Sequence, residues 1–263
     1  MVVRTLSGGG GTAFGTYTYN VTDRRGNPLS TVARDVAVAP AVYVDDAGTS
    51  YRQDVYVAGH GGGSWATRRG TLTATAGGAS WNWGTADQWR ADAAYESAAH
   101  GVAVQQTAGG YAVYTVGSAT RASEYKSSVT AWTTRRRAYA ANGDAAGAWA
   151  TVDSHQSSGG AYARGVAVDR AGRVYVTGSY KNHSGEHALV RYVDTDRDAT
   201  ATAWAALDDW QRETNSFSYA TNVFVSSAGH VYTTGVDYSR QTDPATGALL
   251  YWGVVRLIDT SRI

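Results

Sequence analysis

Gly165-Val-Ala-Val-Asp-Arg-Ala-Gly-Arg-Val-Tyr-Val-Thr-Gly178 is the stretch that decides the fold. Apolar residues alternate with a period of two on either side of Asp-Arg-Ala-Gly, at Val166 and Val168 and again at Val174 and Val176, so two strands flank a tight turn. Gly172 sits where such a turn asks for a positive φ. The pattern recurs at residues 35–59, 101–117 and 222–235, with Val36, Val102, Val166 and Val223 marking steps of 66, 64 and 57 residues. One two-stranded unit cannot bury its own apolar faces, so repetition at this period implies stacked copies of one supersecondary unit.

Two more strands complete each unit. His187-Ala-Leu-Val-Arg-Tyr-Val-Asp194 and Gly253-Val-Val-Arg-Leu-Ile-Asp259 share the form Val-Arg-x-hydrophobic, and residues 128–135 and 70–76 take the same slot. An aromatic fourth strand then closes the first three units at residues 80–83, 148–151 and 203–206, carrying Trp81, Trp149 and Trp204. Units of four antiparallel strands stacked in this way make an all-β propeller. Its blades are expected at residues 33–97, 98–162, 163–218 and 219–263 within a single domain. The last unit stops after its third strand, and the aromatic stretch 12–20 is expected to complete it, closing a ring of four; an open arc that extends with neighbouring chains is the alternative.

The 165–178 segment, with the following Ala-Leu-Val-Arg-Tyr and Ala-Trp, resembles the beta-propeller repeat of bacterial surface proteins, the SBBP repeat. The match is tight in the third unit, fair in the fourth and loose in the first two. The resemblance implies that the first strand of each blade lines a central channel and that the protein works outside the cytoplasm, extracellular or at the cell surface. It implies no activity, and family members usually have more than four blades.

Composition agrees with an all-β chain: 31 Gly, 18 Tyr and 9 Trp stand beside 3 Phe, 1 Met and no Cys. Without cysteine there is no disulfide framework, thiol nucleophile or zinc-thiolate site. A net charge of +1 gives no basic face for nucleic acid, and Arg135-Arg-Arg137 reads as a solvated strand edge. No stretch is long and apolar enough to be a transmembrane segment, and the first residues lack the apolar core of a signal peptide.

In a propeller, the loops leading into the inner strand and those joining the second and third strands gather at one mouth of the channel. The repeat places Arg34, Asp35, His100, Arg164, Thr221 and Asn222 at the first of these and His60, Arg121, Tyr180, Asn182, His183 and Tyr238 at the second. This polar, aromatic funnel is the expected ligand-binding region, against the plainer expectation that it only hydrates the mouth. His60, His100 and His183 would form a transition-metal site if they converged. Asp194, Asp196 and Asp198 alternate as calcium ligands do, although Ala199 and Ala205 break the EF-hand form; the competing expectation is that they cap a turn.

Asp35, Glu124 and Glu186 are the acids nearest the funnel, and no nucleophile elbow, phosphate loop or metalloprotease helix accompanies them. Trp81, Trp149 and Trp204 repeat in register and are expected between blades, whereas Trp65, Trp89, Trp132 and Trp210 fall outside it and are expected on the surface, as platforms for sugars or subunits. The resulting expectation is a noncatalytic structural or adhesive module that contacts protein partners or assembles with itself, with no cofactor unless the aspartates hold calcium. The alternative is a glycan-binding lectin; a polysaccharide-active hydrolase or lyase comes third.

Overall fold

The structure, a computed structural model, describes residues 2–6, 12–16, 21–22, 28–29, 31–43, 50–124, 128–198, 200–214, 216–242, 244–246, 249–258 and 260. Every regular element among them is a strand. Two short hairpins come first, β1 (Val2–Leu6) with β2 (Thr12–Thr16) and β3 (Val21–Thr22) with β4 (Pro28–Leu29). Blade one comprises β5 (Thr31–Val38), β6 (Val42–Tyr43), β7 (Tyr51–Gly61), β8 (Ser64–Thr75) and β9 (Gly78–Trp89), paired in the order β5-β7-β8-β9 with β6 beside β7. Blade two is β10 (Ser97–Thr107), β11 (Gly110–Arg121), β12 (Val129–Ala140) and β13 (Ala150–His155). Blade three is β14 (Ala161–Val168), β15 (Arg173–Asn182), β16 (Gly185–Asp194) and β17 (Ala205–Trp210). Blade four has three strands, β18 (Phe217–Val225), β19 (Val231–Thr242) and β20 (Leu249–Ile258), joined to blade three by one parallel pairing of Glu186 with Phe217.

Two expectations are corrected here. The third strand of blade one begins at Ser64, not Gly70, because Gly62 and Gly63, with φ of 58° and 72°, turn the chain early. The closing strand is also placed differently: Thr12–Thr16 pairs with Val2–Leu6 and not with the last blade, and residues 17–20 lie outside the described residues. The reason is visible in β1, whose Val3-Arg4-Thr5-Leu6 repeats the third-strand form of Val190-Arg191-Tyr192-Val193 and Val255-Arg256-Leu257-Ile258. A third strand finds its fourth across a short local loop, at a lower closure entropy than a partner at the other end of the chain.

Each inner strand splits its side chains between two joints. Val102, Val166 and Val223 point backward, at the preceding blade, and are buried; Ala37, Ala103 and Ala167 point forward, at the next. Tyr56, Tyr114 and Tyr175 on the second strands also point forward and are fully buried. The hydroxyls they bury are satisfied, as the low-dielectric setting requires. Tyr111 donates to Asp54 at 2.7 Å, so Tyr56, 3.0 Å from Tyr111, donates to Tyr111. Tyr114 donates to Gln105, whose amide reaches across to the Gly172 carbonyl of blade three at 2.9 Å. Tyr175 donates to Asp169. Burial pushes the Asp54 carboxyl upward, but bonds from Arg69, Thr71 and Tyr111 outweigh it and hold the group below its usual range.

An ion pair crosses every joint at the same place. Arg135 of blade two binds Asp87 of blade one at 2.7 and 3.1 Å; Arg191 of blade three binds Asp153 of blade two at 2.9 and 2.9 Å; Arg256 of blade four binds Asp208 of blade three at 3.1 and 3.2 Å. The fork geometry of guanidinium on carboxylate makes each pair bidentate. Each aspartate follows a β-bulge that inserts Ala86, Val152 or Leu207 opposite the third strand, and so leaves its own blade and faces the next. Arg135 and Arg256 also lie over Trp89 and Trp210, 4.4 and 4.6 Å from the rings. Thr85 accepts from Arg68, the equivalent arginine of blade one.

Removing one partner strands a charge, which costs about 3–5 kcal/mol when the pair is buried and about 1 kcal/mol or less when it is exposed. Arg135 and Asp87 are both 7% exposed, Arg191 and Asp153 16% and 5%, Arg256 and Asp208 39% and 20%. Urea denaturation is therefore expected to rank Asp87→Ala as most damaging, Asp153→Ala next and Asp208→Ala least; equal losses at the three joints would contradict this account.

Candidate functional site

The channel mouth is built by a backbone irregularity that all four blades share. Pairing of the first with the second strand slips by one residue between Ala33 and Asp35, Ala99 and Gly101, Ala163 and Gly165, and Ala220 and Asn222. The extra residues are Arg34, His100, Arg164 and Thr221, and a bulge re-aims the residue it inserts. Opposite each bulge stands a glycine, Gly59, Gly117, Gly178 or Gly235, where a Cβ would lie between 1.9 and 2.3 Å from a carbonyl oxygen of the inner strand. This close approach explains the glycine that ends each hairpin pattern.

Three of the four bulged residues carry nitrogen. His100 Nδ1 lies 2.9 Å from the Ala163 carbonyl, which can only accept, so Nδ1 donates and the neutral ring presents a bare Nε2. Burial pushes the His100 imidazole below its usual range, the bond to Ala163 works against this, and Arg164, Arg34 and His60 lower it further. His60 is lowered by burial and by Arg34, with Glu96 opposing. Arg34, His60, His100 and Arg164 thus share one electrostatic neighbourhood. Arg164 lies 5.2 Å over Tyr219, whose hydroxyl is 3.4 Å from that of Tyr238. A cleft of about 480 Å³ opens at His60 and is lined also by Arg90, Tyr95 and Glu96 among others.

Other predicted mouth residues are engaged elsewhere. Arg121 binds Gln156, Tyr180 donates to Asp209 and stacks on His187, and Asn182 accepts from the Ser184 amide to cap its hairpin turn. His183 is exposed in that turn and takes no part in the neighbourhood of His60 and His100. Asp35 accepts from the Val36 amide and, across the joint, from the Val102 amide at 2.9 Å; Asn222 accepts from Val223. Glu186 accepts from Ser179.

No group of three His, Asp, Glu or Cys side chains converges on a metal position among the described residues. The aspartate loop caps its own turn. Asp198 accepts from the amides of Thr200, Thr202 and Ala203 and the hydroxyls of Thr200 and Thr202, and these bonds, the Thr200 hydroxyl first, hold its carboxyl well below the usual range. Asp194 accepts from the Asp196 amide and pairs with Arg197. Local amides reach these carboxylates over two to five residues, a shorter path than any that would aim all three at one point.

Trp65 and Trp132 depart from their expected surface places, whereas Trp149 and Trp204 pack at the joints as expected. Trp65 and Trp132 are fully buried between blades, and Trp89 and Trp210 lie half-buried under arginines, so none of the four is a surface platform. Trp149 and Trp204 pack at the margins of the joints, while Trp81 stacks on Trp83. Trp65 and Trp132 share one third-strand position, just after the bulge glycine, where blade three has Ala188.

The surface features that sequence reasoning missed are the two ends of the blade stack. Val36 is 54% exposed, although its equivalents Val102, Val166 and Val223 are exposed by 4, 8 and 5%. Val38 is likewise 54% exposed. At the other end Phe224, Tyr251, Val255 and Leu257 are between 61 and 73% exposed, on the forward face that the first three blades bury. No pair of strands packs blade four against blade one among the described residues. A signal was present in the inner strands, where Ala37, Ala103 and Ala167 give way to Phe224.

Residues 156–179 match the family described as Beta-propeller repeat, SBBP. No curated protein sequence matches the chain. Among solved structures it is similar to a mannose phosphorylase, MPT-4, from Leishmania mexicana, at 11% identity and a TM-score of 0.38, covering 84% of this chain and 63% of that one. It is also similar to an exo-1,5-alpha-L-arabinanase from a bovine ruminal metagenomic library, at 11% identity and a TM-score of 0.26, covering 86% and 93%.

The mouth has a direct spectroscopic test. Removing the Arg164 charge in Arg164→Ala is expected to raise the His100 pKa toward 6.5, read from imidazole resonances across a pH titration; an unchanged value would separate the two groups. Because the folded value lies below the unfolded one, the fold loses stability as pH falls from about 6.5 through the folded pKa.

Proposed function

From a chain that carries the beta-propeller repeat at residues 156–179, we propose a noncatalytic module that works outside the cell by associating with other protein surfaces through the uncovered faces of its end blades. One observation carries this reading. Of the eight large apolar side chains exposed among the described residues, six belong to those two faces: Val36 and Val38 at one end, Phe224, Tyr251, Val255 and Leu257 at the other. Scattered exposed apolar residues are ordinary, but a contiguous apolar sheet face rimmed by polar groups marks a contact surface.

Sheet register makes the forward face of blade four contiguous. Phe224 stands opposite Tyr232 and Tyr232 opposite Leu257; beside them Thr234 faces Val255, Val236 faces Gly253 and Tyr238 faces Tyr251. Burying one such side chain contributes about 1.5–3 kcal/mol, so a partner that covers several of them supplies a substantial binding term.

The double variant Val255→Ser/Leu257→Ser removes apolar area that the isolated chain leaves in water. It is expected to keep the wild-type melting temperature within a few degrees and to lower the average particle mass seen by light scattering as concentration rises. A variant that loses its fold, or that associates as the wild type does, would remove this face from the reading.

A further inference from the structure

The covering for blade four's forward face, we infer, is the rear face of blade one in a second copy of this chain, so that two open arcs join head to tail in one ring. This rests on the assembly reading above and names its partner.

The argument is continuity with an interface already repeated three times. At each internal joint, the forward face of one blade is covered by the backward valines of the next inner strand: Val102 with Val104, Val166 with Val168, Val223 with Val225. Val36 and Val38 hold the same positions in blade one, point the same way and remain in solvent. The stack therefore ends in one uncovered face of each kind, and the two are complementary rather than alike. Such a heterologous contact extends until rotation closes it.

Curvature sets where it closes. Among the described residues blade four is not brought onto blade one, so these four blades leave both faces uncovered. Two copies supply eight blades, within the range of about four to eight that closed propellers use. A hydrogen bond also crosses the first joint, where Asp35, next to its bulge, accepts the Val102 amide of the following blade.

The fourth joint is not a copy of the others, and that gives it selectivity. Bulk moves from the third strand to the first: Gly253 replaces Trp65, Trp132 and Ala188, with open space where its Cβ would be, while Phe224 replaces Ala37, Ala103 and Ala167. In the ring, Arg34, His100, Arg164 and Thr221 from each copy would line a common channel.

Sedimentation velocity tests the ring with two single variants. Wild type is expected to reach twice the 27.8 kDa of the chain and to grow no further. Val36→Glu spoils only the rear face of blade one and Val255→Glu only the forward face of blade four, so each alone is expected to run as a monomer. Mixed in equal amounts they retain one intact pair of faces and are expected to recover a particle of two chains. Association of Val36→Glu by itself would show like faces meeting and overturn the head-to-tail pairing. Wild-type particles that lengthen with concentration would overturn the closed ring while leaving the assembly reading in place; a wild-type monomer at every concentration, unaltered by Val255→Ser/Leu257→Ser, would overturn both. Should either glutamate variant fail to fold, hydrogen exchange of the wild type decides the same question. β5 and β18–β20 are expected to lose protection together on dilution, and loss at only one of them, or at neither, would overturn the pairing.

Discussion

The face-to-face joint between consecutive blades is the constraint on which this structure depends. A sheet that is apolar on both sides is not stable alone, so each blade is held by the neighbour stacked against it. The covering is met by three elements at fixed positions: backward valines on the inner strand, a forward tyrosine whose hydroxyl is satisfied within or across the joint, and an arginine that reaches back to an aspartate on the preceding blade's outer strand. Apolar contact supplies the energy. The Arg–Asp pair sets the angle and the register, because a bidentate pair tolerates little displacement.

β-bulges turn a repeated sheet into a repeated device. One bulge, on the inner strand, lifts Arg34, His100, Arg164 and Thr221 toward the channel mouth and requires a glycine across from it. A second, on the outer strand, turns Asp87, Asp153 and Asp208 out of their own blade. The same irregularity thus serves the mouth at one end of the blade and the joint at the other. Its strict recurrence explains why the repeat keeps the bulge glycine and the third-strand arginine at fixed places while the loops vary.

Exposure follows from this arrangement. The release of Val36, Val38, Phe224, Val255 and Leu257 into solvent has one cause: among the described residues the first and fourth blades have a neighbour on one side only. The tryptophans show the converse. Trp65 and Trp132 fall outside the register of the outer-strand aromatics, yet they are the largest fully buried side chains, because they pack in joints that form only when two blades meet.

Local pattern determined the strands, the hairpins, the fourfold repeat and the positions of Arg34, His100 and Arg164 at the inner bend, since period-two alternation and glycine placement act over a few residues. The family repeat was legible for the same reason, in the 165–178 segment. What the sequence could not decide was what is set by packing between units: that the off-register Trp65 and Trp132 are interior, and that, among the described residues, Val36 and Val38 at one end and Phe224, Tyr251, Val255 and Leu257 at the other lie in solvent. Each of these depends on the angle at which one blade meets the next, a quantity carried by side-chain volumes from strands far apart in the chain, which becomes defined only when the sheets are stacked.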